Sequence, residues 1–188
     1  MAKKLSEMTL EELWALFPIV LMPHDGTWKE AFQAEKERLV RLFGSVAIVI
    51  SHIGSTAIPD IYAKPIVDIL VEFSNGVSLK KAAELLAANG YLIMSETETR
   101  VSLNKGYTEN GFAERVYHLH LRFKGDNDEL YFRDYLLENP LVAKEYETLK
   151  LSLWKPYEHD RDGYTVAKSD FVKKYTELAK NTYKNRYK

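Results

Sequence analysis

A hydroxyl-bearing turn and a strand carboxylate lie close together in this sequence. Gly54, Ser55 and Thr56 form the turn, and Lys64 and Asp68 follow soon after it. Glycine lets another group approach the backbone closely, and the N–H groups of such a turn can point at an anion. Lys64 could neutralise a phosphate. Asp68 stands among Ile, Val and Leu, where an ionised carboxylate must be solvated, paired or bound to metal.

Each of these features also has a plain structural interpretation. Alone, the Gly54-Ser55 pair is more typical of an ordinary turn. Asp68 alone is as well explained by pairing with a nearby Lys or Arg as by a ligand role. Taken together, with Lys64 between them, these residues favour an anion or nucleotide site.

Two histidines occupy alternate positions of a later predicted strand, residues 115–123. His118 and His120 share one face, with Cα atoms ~6–7 Å apart. With Asp68 or His52 they could ligate a transition metal. They could also bind phosphate, act as a general base and its orienter, or form a half-buried pair without a chemical role. The other face of this strand, which we expect in the core, carries Tyr117, Leu119, Leu121 and Phe123.

Three more residues belong to the C-terminal part of the chain. Arg133 is a fair phosphate ligand, although it could equally pair with Asp134. Tyr164 and Lys168 lie at positions i and i+4 of a predicted helix and would project together. Alone, neither set indicates chemistry.

Hydrophobic patterns predict the elements that must position these side chains. A helical region at the N-terminus precedes an α/β middle, and helices follow, which predicts one domain with a mixed sheet covered by helices. A turn is expected over residues 104–114, which contain two glycines. The predicted helices span about residues 6–17, 27–43, 78–89, 129–138, 140–157 and 164–183, and the predicted strands span 46–53, 66–73, 91–94, 99–104 and 115–123.

Composition narrows the possible functions. The chain has 188 residues, 46% hydrophobic and 28% charged, which suits one globular domain. A net charge of −1 gives no general attraction for nucleic acid. The absence of cysteine excludes disulfides, thiolate catalysis and Cys-ligated metal. No signal-peptide pattern or ~20-residue apolar run is present, so we expect a cytoplasmic protein without a membrane partner.

The whole pattern closely resembles the GrpB family, over roughly residues 23–179. The family, also catalogued as UPF0157, is placed in the nucleotidyltransferase superfamily with the polymerase-β-like enzymes. Three blocks carry the resemblance: His52 to Ala57 with Pro59 and Ala63 to Ile69; His118 to His120 with Phe132 to Leu136, Asn139-Pro140, Tyr146 and Leu149-Lys150; and Asp160-Arg161, Tyr164, Lys168 and Phe171.

The resemblance implies a single α/β (α+β) domain over residues 1–188, with a nucleotidyltransferase-like mixed sheet and a helical C-terminal part. It implies that Gly54 and Ser55 hold nucleotide phosphates and that Asp68 is the first of two carboxylates that bind Mg²⁺ for nucleotidyl transfer. It also favours placing Arg133, Tyr164 and Lys168 in the cleft.

The chain departs from the superfamily at the second carboxylate. Leu70 stands where that carboxylate is expected, and Glu72 on the same face is about 13 Å from Asp68 between Cα atoms. His118 and His120 take the strand of the expected third carboxylate. Imidazoles are poor ligands for Mg²⁺ and good ligands for Zn²⁺ or Ni²⁺.

Three functional hypotheses follow. The first is an enzyme that binds a nucleotide or another phosphorylated small molecule and transfers a nucleotidyl group to an unknown acceptor. The second is a non-catalytic module that keeps the phosphate-binding pocket, which Leu70 favours. The third is a transition-metal hydrolase built on Asp68, His118 and His120.

Overall fold

The computed structural model describes residues 3–187, apart from the side chain of Ile48. Helices cover both faces of a central sheet, which agrees with the expected mixed α+β class. The helices are α1 (Leu10–Leu16), α2 (Thr27–Phe43), α3 (Leu79–Ala87), α4 (Asp128–Glu138), α5 (Pro140–Trp154), α6 (Arg161–Ala167) and α7 (Ser169–Thr182). The strands are β1 (Ala47–Ile53), β2 (Val67–Phe73), β3 (Leu92–Glu96), β4 (Arg100–Thr108) and β5 (Gly111–Phe123).

The sheet has the strand order β1-β2-β5-β4-β3. Strands β2 and β5 run parallel, and the other neighbours are antiparallel. The parallel register pairs Asp68 with His118 and Leu70 with His120. Residues that are fifty positions apart in sequence thus become neighbours on one face, because side chains of a strand alternate between the two faces of the sheet.

Strand β2 separates two apolar layers. Its residues Val67, Ile69, Val71 and Phe73 belong to the main core, which helices α2 and α3 complete from one side. On the opposite face Leu70 packs against Ile53 and against Leu130 of α4. The expected core face of β5 is confirmed, since Leu119 and Leu121 are fully buried in the main core.

Several helix ends follow the expected local chemistry. Thr9 caps α1 by accepting a hydrogen bond from the Glu12 N–H, and the Glu12 carboxylate accepts one from the Thr9 N–H. Helix α2 has the predicted bounds and stops at Gly44.

Two local predictions differ from the structure. The turn expected within residues 104–114 is present at Glu109 and Asn110, but the rest of that range is strand, with a bulge at Gly106 in β4. The expected single helix from residue 164 to 183 is two helices that meet at Lys168. Helix α6 begins three residues earlier than expected, since the Asp160 side chain caps it.

Candidate functional site

Gly54 allows the predicted turn to lie directly on the strand carboxylate. It follows β1 with φ +70° and precedes a 3₁₀ turn over Ser55–Ala57. A Cβ atom at position 54 would lie 2.3 Å from Oδ2 of Asp68. Only glycine fits this position, because any side chain would clash with the carboxylate and the backbone is in a region that other residues rarely adopt.

Asp68 lies between the two predicted histidines. Its Oδ1 is 3.3 Å from Nδ1 of His118 and 3.7 Å from Nε2 of His120, and 28% of its side chain is exposed. Burial raises the pKa of the Asp68 carboxyl, but the two imidazoles outweigh burial and hold that pKa well below its ordinary value. Asp68 is therefore ionised at neutral pH and is a weak general base, since a base works best with a pKa near the working pH.

His118 is held on both sides. Its Nε2 is 2.8 Å from the hydroxyl of Tyr107, which also accepts a 2.9 Å hydrogen bond from Arg161. Because Arg161 only donates, the Tyr107 hydroxyl can donate to Nε2, which places the proton of His118 on Nδ1, facing Asp68. Burial lowers the pKa of His118, which agrees with a neutral ring in this tautomer.

The hydroxyls of the turn have different surroundings. Thr56 is buried, donates to the Ile66 carbonyl and lies 2.9 Å from Nε2 of His52. Ser55 lines the open cleft. Burial lowers the pKa of His52 to about 4, so this histidine is neutral and donates to Thr56. Ser55 is consequently the turn hydroxyl that a ligand can reach, whereas Thr56 ties the turn to the start of β2.

Four cations converge on another side of the same cleft. Lys64 Nζ and Lys168 Nζ lie 5.4 Å and 5.0 Å from the centre of the Tyr164 ring. Lys150 and Arg161 line the cleft with them. Tyr164 and Lys168 thus meet as expected, although Lys168 lies between two helices. Among residues 3–187 none of the four cations has a carboxylate oxygen within 4.0 Å.

The sequence alone predicts no role for Lys150, Arg161 or Tyr107. Lys150 and Arg161 fall within the segments that resemble the family, and their position there could have indicated a functional role. Tyr107 had no such signal, because residues 104–114 were expected to form a turn. Only the strand extension places its ring beside His118, at 5.9 Å between ring centres.

Arg133 is hydrogen-bonded to other residues of the protein. Its guanidinium donates to Oδ1 of Asp134, to the His52 carbonyl and to the hydroxyl of Tyr187. These contacts join α4 to the end of β1 and to the C-terminal segment. The side chain borders the cleft, and its phosphate-binding role stays a prediction.

Neither position considered for a second carboxylate, 70 or 72, offers a ligand that could bind metal together with Asp68. Leu70 is 0% exposed and packs in an apolar cluster. Glu72 is buried and accepts hydrogen bonds from the Gly125 N–H and the Asn127 side chain, so it stabilises the turn after β5. The residues present therefore do not fit a two-carboxylate magnesium site.

Zinc or nickel binding was the other metal expectation. Across the described part of the chain, no three His, Asp or Glu side chains have the placement of a metal site. Nε2 of His118 is bonded to Tyr107, and its Nδ1 faces Asp68 at a hydrogen-bonding distance. Binding of a single metal ion by Asp68, His118 and His120 stays a prediction, which a titration with Zn²⁺ or Ni²⁺ tests.

The candidate site lies in one cleft of about 1490 Å³. Its polar part holds the Gly54-Ser55 turn, Asp68, the two histidines and the four cations. Its apolar part includes Leu13, Trp14 and Phe17 near the N-terminus and Phe132 and Tyr146 in α4 and α5. Such a cleft, apolar with a few converging polar groups, is typical of a small-molecule site. In the range 3–187 no helix is long and apolar enough to cross a membrane.

Comparison with solved structures identifies the fold. The crystal structure of conserved protein GrpB from Enterococcus faecalis superposes with a TM-score of 0.75 at 31% identity, covering 87% of this chain and 99% of that one. A structure of the GLD-2/RNP-8 complex matches 95% of this chain and 72% of that chain, with a TM-score of 0.54 and 10% identity. The latter likeness concerns the fold alone and agrees with the expected nucleotidyltransferase-like class.

Sequence relatives agree with this comparison. UPF0157 protein YqkA of Bacillus subtilis is 34% identical over 97% of this chain, which spans 54% of the length of YqkA. The family model described as GrpB protein matches residues 18–178. Since that match includes the Gly54 turn, Asp68, the histidine pair and the four cations, the chain belongs to the GrpB family.

Proposed function

We propose that the protein binds a nucleotide or another phosphorylated small molecule in this cleft and transfers a nucleotidyl group from it. The observation that carries the proposal is the set of four cations, Lys64, Lys150, Lys168 and Arg161, beside the Gly54 turn and without ion-pair partners among the described residues. Partly buried cations without counter-charges favour a bound anion, and phosphate is the anion that a glycine-serine turn also suits.

The reaction class comes from the fold together with the fixed charges. In nucleotidyl transfer, an acceptor hydroxyl attacks the α-phosphorus and forms a P–O bond, its proton passes to solvent, and the bond to the leaving pyrophosphate breaks. Lys64, Lys168 and Arg161 would stabilise the negative charge on the leaving phosphates. At the other wall of the cleft, the Nδ1–H of His118 faces the Asp68 carboxylate and orients it.

Leu70 favours a second candidate, a module that binds the same ligand without turnover. An enzyme of this superfamily would use a second carboxylate at that position, and here the position is fully buried in apolar contacts. Both candidates predict binding, and only the first predicts release of pyrophosphate.

A thermal-shift panel of nucleoside triphosphates, with and without Mg²⁺, tests the proposal. A ligand at 100 times its Kd adds ~2.7 kcal/mol to the stability of the folded state. We expect at least one nucleotide to raise Tm, and we expect Asp68→Asn to reduce turnover of that nucleotide. Glu109→Gln, in the exposed turn between β4 and β5, is the control with the same change of charge.

The outcomes separate the two candidates. A nucleotide that binds and releases pyrophosphate at a rate that Asp68→Asn lowers supports the transferase. Binding with no pyrophosphate released in any nucleotide and acceptor combination supports the non-catalytic module. A panel in which no nucleotide or sugar phosphate changes Tm would contradict the proposal.

A further inference from the structure

We propose that the protein's own cations, rather than a divalent metal, hold a diphosphate or triphosphate group in the cleft. The four cations are Lys64, Lys150, Lys168 and Arg161, and we call them the cation cluster. This inference rests on the proposed function and names the part of the ligand that the cluster binds and the way it is bound.

The first support is the geometry around Tyr164. This tyrosine is 0% exposed, and its hydroxyl has no hydrogen-bond partner in the described structure. Lys64 and Lys168 lie near its ring, with Nζ atoms 5.4 Å and 5.0 Å from the ring centre. The buried ring thus holds two ammonium groups near each other at the edge of the cleft without neutralising their charge.

The second support is the position of the other two cations. Lys150 is 2% exposed, yet it still lines the cleft, and its Nζ donates to the Tyr62 carbonyl. Arg161 donates to the Tyr107 hydroxyl and to the Phe17 carbonyl. Each contact uses only part of the donor capacity of the cation and neutralises none of its charge. The protein therefore fixes the cations in place and leaves their charge for a ligand.

The third support is the electrostatic effect of the cluster on itself. Burial, reinforced by Lys168 and Arg161, lowers the pKa of Lys64 to about 7, although Asp68 opposes the shift. Burial and Lys168 likewise lower the pKa of Lys150 to about 7, and Glu147 opposes it. A bound polyphosphate would reverse these shifts, so binding should take up protons near neutral pH.

The fourth support is the face of β2 that carries Asp68, where the superfamily places its metal carboxylates. Leu70 is apolar and buried there, and Glu72 is committed to Gly125 and Asn127. A metal ion in such a site would otherwise neutralise the phosphates. Four cations match the several negative charges of a diphosphate or triphosphate better than they match a single phosphate.

Calorimetry with inorganic pyrophosphate and with ADP, in buffer containing EDTA, tests this inference. We expect both to bind without metal and Mg²⁺ not to increase their affinity. Lys168→Gln and Lys64→Gln should each weaken pyrophosphate binding roughly tenfold or more, because each removes a hydrogen bond to a charged group. Lys80→Gln, an exposed lysine of α3 on the other side of the sheet, should bind like the unmodified protein.

The pH dependence gives an independent readout that a loss of folding cannot mimic. Affinity for ADP should fall as pH rises from about 7.5 to 9, because Lys64 and Lys150 lose their protons in a range where the phosphates of ADP are already ionised. The observed enthalpy should vary with the ionisation enthalpy of the buffer, since protons are taken up on binding.

Failure of the inference and failure of the proposed function look different. Nucleotide binding that requires Mg²⁺, or that Lys64→Gln and Lys168→Gln leave unchanged, would overturn the inference and leave the proposed function standing. Absence of binding by every phosphorylated probe, with and without Mg²⁺, would overturn both.

Discussion

Gly54 and Asp68 are packed so closely that the carboxylate takes the space of a side chain at position 54. A Cβ there would lie 2.3 Å from Oδ2 and 3.0 Å from the Asp68 Cβ. Because Gly54 has no side chain, the turn that bears Ser55 can pack directly against the strand that bears Asp68. A side chain at position 54 would therefore have to push the turn and the carboxylate apart.

Gly54→Ala should destabilise the protein and abolish ligand binding in the cleft. The backbone of Gly54, at φ +70° and ψ −173°, costs an alanine ~1–3 kcal/mol, and the clash with Asp68 adds about 1–3 kcal/mol. Urea unfolding measures the loss. Gly26→Ala is the control, because Gly26 has helical φ and ψ and nothing within 4 Å of an added Cβ. Equal stability of both variants would contradict the close packing of Gly54 on Asp68.

Leu70→Ala should cost about 2–5 kcal/mol, which is usual for removing a fully buried leucine side chain. Leu70→Asp should cost more than Leu70→Asn, since an ionised carboxylate beside Ile53 and Leu130 would lose its water without gaining a partner. Chemical unfolding gives both comparisons, and Leu141→Ala, at a position 82% exposed, is the control. A stable Leu70→Asp protein that binds Mg²⁺ would instead mean that this position remains open to a metal ligand.

The sequence predicted most of the elements because their signals are local. The strand carrying Asp68 and the helix over residues 27–43 depend on apolar periodicity and on short-range stops such as Gly44. Gly106 was misread because a glycine within a bulge and a glycine within a turn have the same sequence signal. The break at Lys168 was missed because it depends on the tertiary position of the two helices it joins.

The candidate site could be predicted only as far as its parts are adjacent in sequence or paired by strand order. Gly54, Lys64 and Asp68 lie within one short segment, and His118 joins them through the parallel register of β2 and β5. The four cations around Tyr164, by contrast, come from separate helices and loops. No window of sequence contains them all, so their importance emerges only from the folded chain.

Stability should fall as pH drops from about 6.5 to about 4, and His52→Gln should remove part of this dependence, while His118, whose pKa burial also lowers, keeps its own share. Burial lowers the pKa of His52 to about 4 in the folded state, whereas an unfolded histidine has a pKa of about 6.5. Because the unfolded chain binds the extra proton, the contribution is complete above pH ~6.5 and declines towards pH ~4. Its size is on the order of 1–3 kcal/mol after solvent screening.

Melting temperatures measured at a series of pH values test this prediction. Asp68 also has a lowered pKa, so its contribution is present above its unfolded pKa of about 3.9 and is lost at more acidic pH. The two residues therefore act in different pH windows. His159→Gln, at an exposed histidine, should keep the full dependence, and a His52→Gln curve parallel to that of the unmodified protein would rule out the assignment.

Tyr107→Phe should change the protonation of His118 while leaving the fold intact. The Tyr107 hydroxyl is the group that faces Nε2 of His118, at 2.8 Å, and it holds the proton of the ring on Nδ1. Its loss should cost ~0.5–1.5 kcal/mol and shift the His118 ring nitrogens towards a mixture of tautomers in ¹⁵N NMR spectra. Tyr117→Phe removes a hydroxyl from the opposite face of the same strand and should leave these signals unchanged. If the unmodified protein already shows Nε2 protonated, the orientation of His118 towards Asp68 through Nδ1–H is wrong, and the imidazole would instead be available to accept a proton beside the carboxylate.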